Sequence, residues 1–441
     1  MRLAAAALVN FSIVNKSTTT VLLLALLSMT GCGDDAPAAS DTGGSSAGTG
    51  GDGAGGLGGQ DGAGGSAPPA PDPVGFRETA SMHTGRVAHT ATVLPDGRVL
   101  VVGGENVDRD MIDSVEVFDP ATETWTELAP LPEPRSNHVA VLLPTGKVLV
   151  AGGGRSAPIG QPAGLEVTAT SLLFDPSDGT FAPTGSMQAP RSHFPAVLLP
   201  SGKVLAIGGG ADTHDAGGMC NGVPDCGPLA DALDTVESYD PDTGEWSPVA
   251  SMSLARYSFT ATLLASGEVV AAGGVDALIE GTNSSELYRP DADAWSDLPD
   301  MKGPPREHHS ATLLGSGGLI AAGGKNPNVT PLDSVTVFDP VAQEWLNGPD
   351  MSGKRTVPGL ITLQSGRALL VGGFDQIEQD FVSEAALFDE AGWTWQLISP
   401  LVKGRSTQAT TLLPDGSVLV TGGFVSFANA SDRCEISVIA Q

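Results

Sequence analysis

The densest group of side chains able to do chemistry lies in one stretch, Ala211 to Asp234, which holds Asp212, His214, Asp215, Asp225, Asp231 and Asp234 with Cys220 and Cys226. Clustered carboxylate oxygens are what a calcium ion takes as ligands. The two cysteines suit a local disulfide if the chain is exported. The spacing matches no calcium loop, and zinc needs a fuller ligand set. A disulfide-stiffened acidic loop without an ion is therefore the default reading, and Ca2+ is the one cofactor it leaves open. A second set is Arg86, Arg135, Arg191, Arg256, Arg306, Arg355 and Arg405, with His89, His138 and His309 each three residues behind an arginine. Exposed, such arginines make a positive mouth for carboxylates or acidic sugars, and Arg135, Arg191 and Arg256 are the candidates to do so. Buried, they bond carbonyls and cap loops, which their regular recurrence favours. Within residues 73–441 no Gly-x-Ser-x-Gly elbow, phosphate loop or zinc-protease helix occurs, and no catalytic residue is assigned.

The recurrence identifies the elements that carry these residues. HTATVLPDGRVLVVGG from His89, HVAVLLPTGKVLVAGG from His138 and FTATLLASGEVVAAGG from Phe259 are copies of one unit, and four more begin near Phe194, His309, Pro358 and Gln408. Each arginine stands 17 residues before a glycine pair, as from Arg86 to Gly103. A second ruler follows. Aromatics at Phe118, Phe174, Tyr239, Tyr288, Phe338 and Phe388 each precede another at Trp125, Phe181, Trp246, Trp295, Trp345 and Trp395. Alternating apolar residues in ATVL and RVLVV predict two strands joined at Asp96-Gly97 by a two-residue hairpin turn. SVEVF predicts a third strand ended by Asp-Pro, and TWTEL a fourth whose tryptophan packs between sheets. Four antiparallel strands per unit make a propeller blade.

An arginine, an apolar hairpin, Gly-Gly, an aromatic strand with Asp-Pro and then tryptophan resembles the kelch repeat. The resemblance runs from about Phe76 to the end of the chain. The expected fold is all-β, a seven-bladed kelch-type propeller with four antiparallel strands per blade. FRETASM, from Phe76, is then an orphan fourth strand that completes the last blade beside CEISVIA, so that neither strand edge stays bare. Six blades with frayed ends is the alternative count. LPDGKVLVAGG-like hairpins are also similar to the propeller of galactose oxidase. That likeness implies a copper site of two tyrosines and two histidines, with a cysteine cross-linked to one tyrosine. Only Tyr239, Tyr257 and Tyr288 are available. Tyr239 and Tyr288 fill the third-strand aromatic position, so the activity does not carry over with the fold. DPSDGTF, from Asp175, is faintly similar to a sialidase Asp-box but sits where the kelch turn belongs.

The ends and the charge speak to location. Arg2 and Lys16 precede an apolar run, Val21 to Leu27, too short to span a membrane and suited to an export signal. Met29-Thr30-Gly31-Cys32 resembles the lipobox of bacterial lipoproteins, which implies a lipid on Cys32. Residues 1–31 are read as signal peptide and 32–72 as a Gly/Ala/Ser/Asp-rich tether that cannot bury a core. Residues 73–441 are read as the propeller. The tether would span roughly 35 Å as a flexible coil. Acidic side chains outnumber basic ones 51 to 22, a net charge of −29, which repels nucleic acid and anionic lipid.

Function is expected where the repeats differ. The glycine pair lies 15 residues before the third-strand aromatic in blade 1 (Gly103 to Phe118), 22 in blade 2 (Gly152 to Phe174) and 31 in blade 3 (Gly208 to Tyr239). Both inserts leave the face that bears the arginine connections, and loops on a rigid scaffold are where binding concentrates. A monomeric, non-catalytic, surface-tethered scaffold that binds a protein or a glycan is expected, touching membrane only through its lipid. The alternative is a secreted enzyme, galactose-oxidase-like or sialidase-like, that acts on carbohydrate.

Overall fold

The computed structural model describes residues 71–439 apart from 157–164, 212–231, 279, 327 and 329. Described residues form seven four-stranded antiparallel sheets and no helix. Blade 1 runs Thr90–Val93, Val99–Val102, Val115–Asp119 and Thr124–Glu127 from the axis outward. The first strands of successive blades touch all the way round, from Thr90–Val93 through Ala409–Leu412 and back, so they line the axis. Blade 7 takes its outer strand, Pro73–Glu78, from the other end of the chain. That strand pairs antiparallel with Cys434–Ile439, with Phe76 opposite Ser437.

Each sheet is sandwiched between two others. Its second strand is therefore buried on both faces, and Val99–Val102 is buried at all four positions. That explains a continuous apolar run where simple alternation was expected. Alternate residues of the strand feed the two neighbours. Leu100 and Val102 pack with Val148 and Val150 of blade 2, while Val99 and Val101 pack with Leu419 and Ile436 of blade 7. Fully burying each such side chain contributes about 1.5–3 kcal/mol. The fourth-strand tryptophans reach back across the seam. The Trp246 indole N–H donates to Ser171 Oγ of blade 2 (3.1 Å), and that of Trp345 to Ser285 Oγ of blade 4 (2.9 Å).

The turn between the first two strands corrects the two-residue expectation. Leu94 N–H donates to Arg98 O (2.7 Å) and Gly97 N–H to Leu94 O (2.9 Å), leaving a three-residue loop in which only Gly97 has positive φ, +87°. Pro95 fixes φ near −65°, which a type I′ turn forbids and a type I turn with a following left-handed glycine needs.

The glycine pair seals one blade to the next. A Cβ on Gly152 would lie 2.6 Å from Arg191 O of blade 3. Gly153 N–H donates to that same carbonyl at 2.9 Å, and the bond recurs at every seam, including Gly423 to Arg86 across the closure. Removing residues 1–78 strips the partner from Cys434–Ile439. The shortened chain is expected to lose its cooperative thermal transition and to elute as aggregate in size-exclusion chromatography, where the intact chain gives a single discrete species.

Candidate binding site at the axial mouth

Each chain connection enters its blade through the arginine and then turns toward the axis. The arginine side chain lies back in its own blade. Arg256 Nη1 donates to Gly273 O and Ser284 O, both at 3.0 Å, and Nη2 to Ser284 Oγ (3.0 Å) and Glu286 Oε1 (2.8 Å). Arg191 makes the same set with Gly208, Thr235 and Glu237, and Arg135 bonds Gly152 O, Thr170 O and Thr170 Oγ1. Arg135, Arg191 and Arg256 are 1%, 0% and 0% exposed. This corrects their reading as loop-face groups, since a guanidinium enclosed this way offers no donor to a ligand in solvent. Burial lowers the pKa of Arg191 and Arg256, and their glutamates oppose the shift.

The glutamates are the residues the sequence reading missed. Glu116, Glu237, Glu286 and Glu435 take the second third-strand position in blades 1, 3, 4 and 7, and each bonds its arginine. The signal was present as the Glu two residues ahead of the aromatic in SVEVF, TVESY and SSELY.

Two residues past each arginine the backbone enters the left-handed region, in all seven blades: Ala88, Asn137, His193, Ser258, His308, Val357 and Thr407 have φ between +49° and +56°. Such strain costs of order 1 kcal/mol or more per residue and persists only where surroundings enforce it. Here main-chain bonds run round the axis across five of the seven junctions. Asn137 N–H donates to Ala88 O, His193 to Asn137 O, Ser258 to His193 O, His308 to Ser258 O and Val357 to His308 O, at 2.9–3.4 Å.

These residues line an axial pocket of about 330 Å³ with the layer beneath them, which includes His89, His138, Phe194, Phe259 and His309. Five of the chain's 7 histidines therefore meet on the axis. Those in the lower layer are framework. His138 Nε2 lies 3.0 Å from Thr90 Oγ1, His309 Nε2 3.0 Å from Thr260 Oγ1 and His89 Nε2 2.9 Å from Thr421 Oγ1. Burial, then the charge of Arg135, pushes the His138 pKa down to about 3, and burial with Arg306 and His308 does the same to His309. The upper layer differs. One backbone position carries Ala, Asn, His, Ser, His, Val and Thr in turn. His308 Nδ1 lies 3.2 Å from Glu307 Oε2, whose pKa burial would raise but His308 and Lys325 hold below its usual value.

Asp212, His214, Asp215, Asp225 and Asp231, the Cys220–Cys226 pair and Cys32 lie outside the described residues. The flanks of the blade 3 insert are described: Gly210 bridges Ser192 and Ala232, so the insert leaves from the mouth face. Cys434 is a buried free thiol whose pKa burial raises to about 12. The described residues do not fit a galactose-oxidase copper site. The Tyr239 hydroxyl lies 2.8 Å from Thr184 Oγ1 and that of Tyr288 donates to Asp293, both in the outer half of a blade, while five histidines sit on the axis. Among described residues no three His, Cys, Asp or Glu side chains are placed to hold a metal ion.

The buried imidazoles give a pH test. Unfolded histidine binds a proton near pH 6.5 and His309 in the fold only near pH 3. Protonation therefore favours the unfolded chain, and stability is lost as pH falls from 6.5 toward 3. Gln408 already occupies the equivalent place in blade 7 and bonds Val371 O at 3.0 Å. His309→Gln is expected to flatten that acid slope by about 1.4 kcal/mol per pH unit in urea titrations.

Comparison with known proteins agrees with this architecture. A family model of the Kelch motif matches residues 86–132 and 191–253. The chain is 33% identical over 115 residues to F-box/kelch-repeat protein SKIP30 of Arabidopsis thaliana, covering 25% of this chain and 29% of that one. It is 26% identical over 182 residues to Alpha-scruin of Limulus polyphemus, covering 41% of this chain and 18% of that one. The match thus spans under a third of each relative's length. Among solved structures, a fungal alcohol oxidase of the AA5 family in complex with copper aligns with TM-score 0.63 at 14% identity over 83% of this chain and 76% of that one. YjhT aligns with TM-score 0.55 at 13% identity over 72% of this chain and 99% of that one. At such identities these likenesses are of fold alone.

Proposed function

We propose, for a chain whose kelch repeats close a seven-bladed propeller, that it is a non-catalytic binding and scaffolding protein whose axial mouth and surrounding loops take hold of a protein partner. The observation that carries this reading is the upper ring of the mouth, one strained backbone position repeated seven times and filled by six different residue types. A recognition surface varies its side chains over a fixed frame.

The loops around the mouth support a polypeptide over a sugar. Val107, Leu278, Ile377 and Phe427 stand at loop tips of blades 1, 4, 6 and 7, between 38% and 78% exposed. Asx turns fix the first three of these tips: Asn106 Oδ1 accepts from Asp108 N–H, Asp276 Oδ1 from Leu278 N–H and Asp375 Oδ1 from Ile377 N–H. Exposed apolar side chains on rigid turns suit a protein surface. Sugar sites favour stacked aromatic rings, and Phe194, Phe259 and Phe424 at the pocket are buried. The same proposal places the propeller outside the cell, held by a lipid on Cys32 through the spacer at 32–72, as the lipobox-like sequence suggests.

Ser258→Trp fills the mouth at a position whose neighbours already accept left-handed residues. It is expected to lower partner capture from surface extracts by about tenfold or more while leaving the thermal transition in place. Capture that survives both this change and deletion of the blade 2 and blade 3 inserts would remove the mouth face from the reading. Cys32→Ser is expected to abolish incorporation of labelled fatty acid and to release the chain from the membrane fraction.

A further inference from the structure

We propose that the rim of the mouth where blades 6, 7 and 1 meet docks a basic stretch of the partner polypeptide, gripped through one large apolar side chain. This rests on the reading of the mouth face as a protein-binding surface, and it adds where the partner is held and by what chemistry. In every blade the residue after the glycine pair bridges across its own loop to a second residue. Blades 1 to 5 make that bridge without an aromatic ring, as Glu105 with Met111 or Lys325 with Pro331. Blade 6 makes it with Phe374 and Phe381, and blade 7 with Phe424 and Ala430. The fold closes this loop five times without phenyl rings, so it does not demand them here.

The rings form one cluster across the seam. Phe374 and Phe381 lie 4.9 Å apart, centre to centre. Ser426 pairs with Asn429, so Phe427 stands in the turn of the blade 7 loop. From there its ring reaches blade 6, 5.5 Å from Phe374 and 5.4 Å from Phe381, edge-on to both. Phe374 is buried and Phe381 half-buried, while Phe427 is 38% exposed. Phe427 is therefore an aromatic side chain presented to solvent and held in place by two rings behind it. Phe381 also packs with Val87, Ala88 and Phe424, and those three line the axial pocket. The apolar surface thus continues from the rim into the pocket. Exposed aromatic rings on a rigid backing are what the cores of protein interfaces are built around.

Charge selects the occupant. The loop tips on either side of blade 7 carry Glu378 and Asp380 in blade 6 and Asp108 and Asp110 in blade 1, all exposed. None of these four carboxylates is in an ion pair among the described residues. The blade 7 loop between Phe424 and Ser431 has no charged residue. The cation at these tips is Arg109, whose guanidinium lies 5.6 Å from the centre of the Phe424 ring. A cation is thus already seated on one ring of the cluster, a contact that the electron-rich face of a phenyl favours. An apolar centre edged by carboxylates is complementary to a polypeptide with lysine or arginine beside a large apolar side chain. An acidic partner or an anionic headgroup meets like charge there. A second copy of this chain docked symmetrically would bring the same acids against themselves.

The probe is a display library of short random peptides panned on the intact chain. The retained peptides are expected to carry lysine or arginine beside a Trp, Phe, Leu or Ile, and to bind more weakly as salt is added. Phe427→Asp changes an exposed turn residue, is expected to keep the thermal transition, and should weaken those peptides by about tenfold or more. Retained peptides that are acidic or show no charge bias overturn the proposal, as does equal affinity for the wild type and Phe427→Asp. Peptides lost on Ser258→Trp but kept on Phe427→Asp remove this rim and leave the mouth reading standing; an empty selection counts against both. Dimerisation of the wild type with rising concentration, or flotation with phosphatidylcholine vesicles, either one abolished by Phe427→Asp, gives the rim to another occupant and overturns the proposal.

Discussion

A single main-chain contact holds the ring together. The second glycine of each pair donates its N–H to the carbonyl of the next blade's arginine, and the first leaves the room that lets that carbonyl approach. The same arginine then turns its guanidinium back onto the first glycine's carbonyl within its own blade, 17 residues on. One residue thus ties each seam, with its backbone bonded to the blade before and its side chain to the blade it enters. Substituting either glycine would drive a Cβ into a backbone oxygen and put an L-residue in a conformation it resists. The invariance of Arg and Gly-Gly across seven units follows from this geometry and calls for no ligand.

Once that contact is fixed, much else has little freedom. The arginine must be buried to reach the glycine carbonyl, and a buried guanidinium requires oxygen partners. Carbonyls and a hydroxyl supply some, and in blades 1, 3, 4 and 7 a buried glutamate supplies the rest while tying down the incoming connection. The connection then has to swing into the innermost strand, which forces the left-handed step at the mouth. The mouth is therefore a by-product of the seam. Its backbone is dictated and its side chains are not, and such a frame can acquire a task without loss of the fold.

The repeat, the blade count and the closing strand were legible because each rests on periodicity, and periodicity needs no knowledge of neighbours. Phe76 falls on the fourth-strand ruler, and Pro73–Glu78 is that strand. What was misread depended on tertiary contacts. Arg135, Arg191 and Arg256 recur in a way that favours burial, but they were still kept as loop-face candidates because the partner that encloses them, the glycine carbonyl, is a tertiary contact. Glu116 and its counterparts look like ordinary strand-surface carboxylates until the arginine is placed beside them. The turn at Pro95–Gly97 was readable and was missed, since proline alone rules out a type I′ loop. Asn137, His193 and His308 carry no sequence mark because their shared property is a dihedral angle.

The pairing of Pro73–Glu78 with Cys434–Ile439 also orders events in time. The first strand of the propeller to leave the ribosome pairs with Cys434–Ile439, so the circle cannot shut until that strand has been made. Shutting it means bringing together ends separated by nearly the entire domain, an entropic barrier of about 5 kcal/mol for a flexible chain of that length. Long-range pairing of this kind is slow. A nascent propeller built this way stays open until its last strand arrives to latch it.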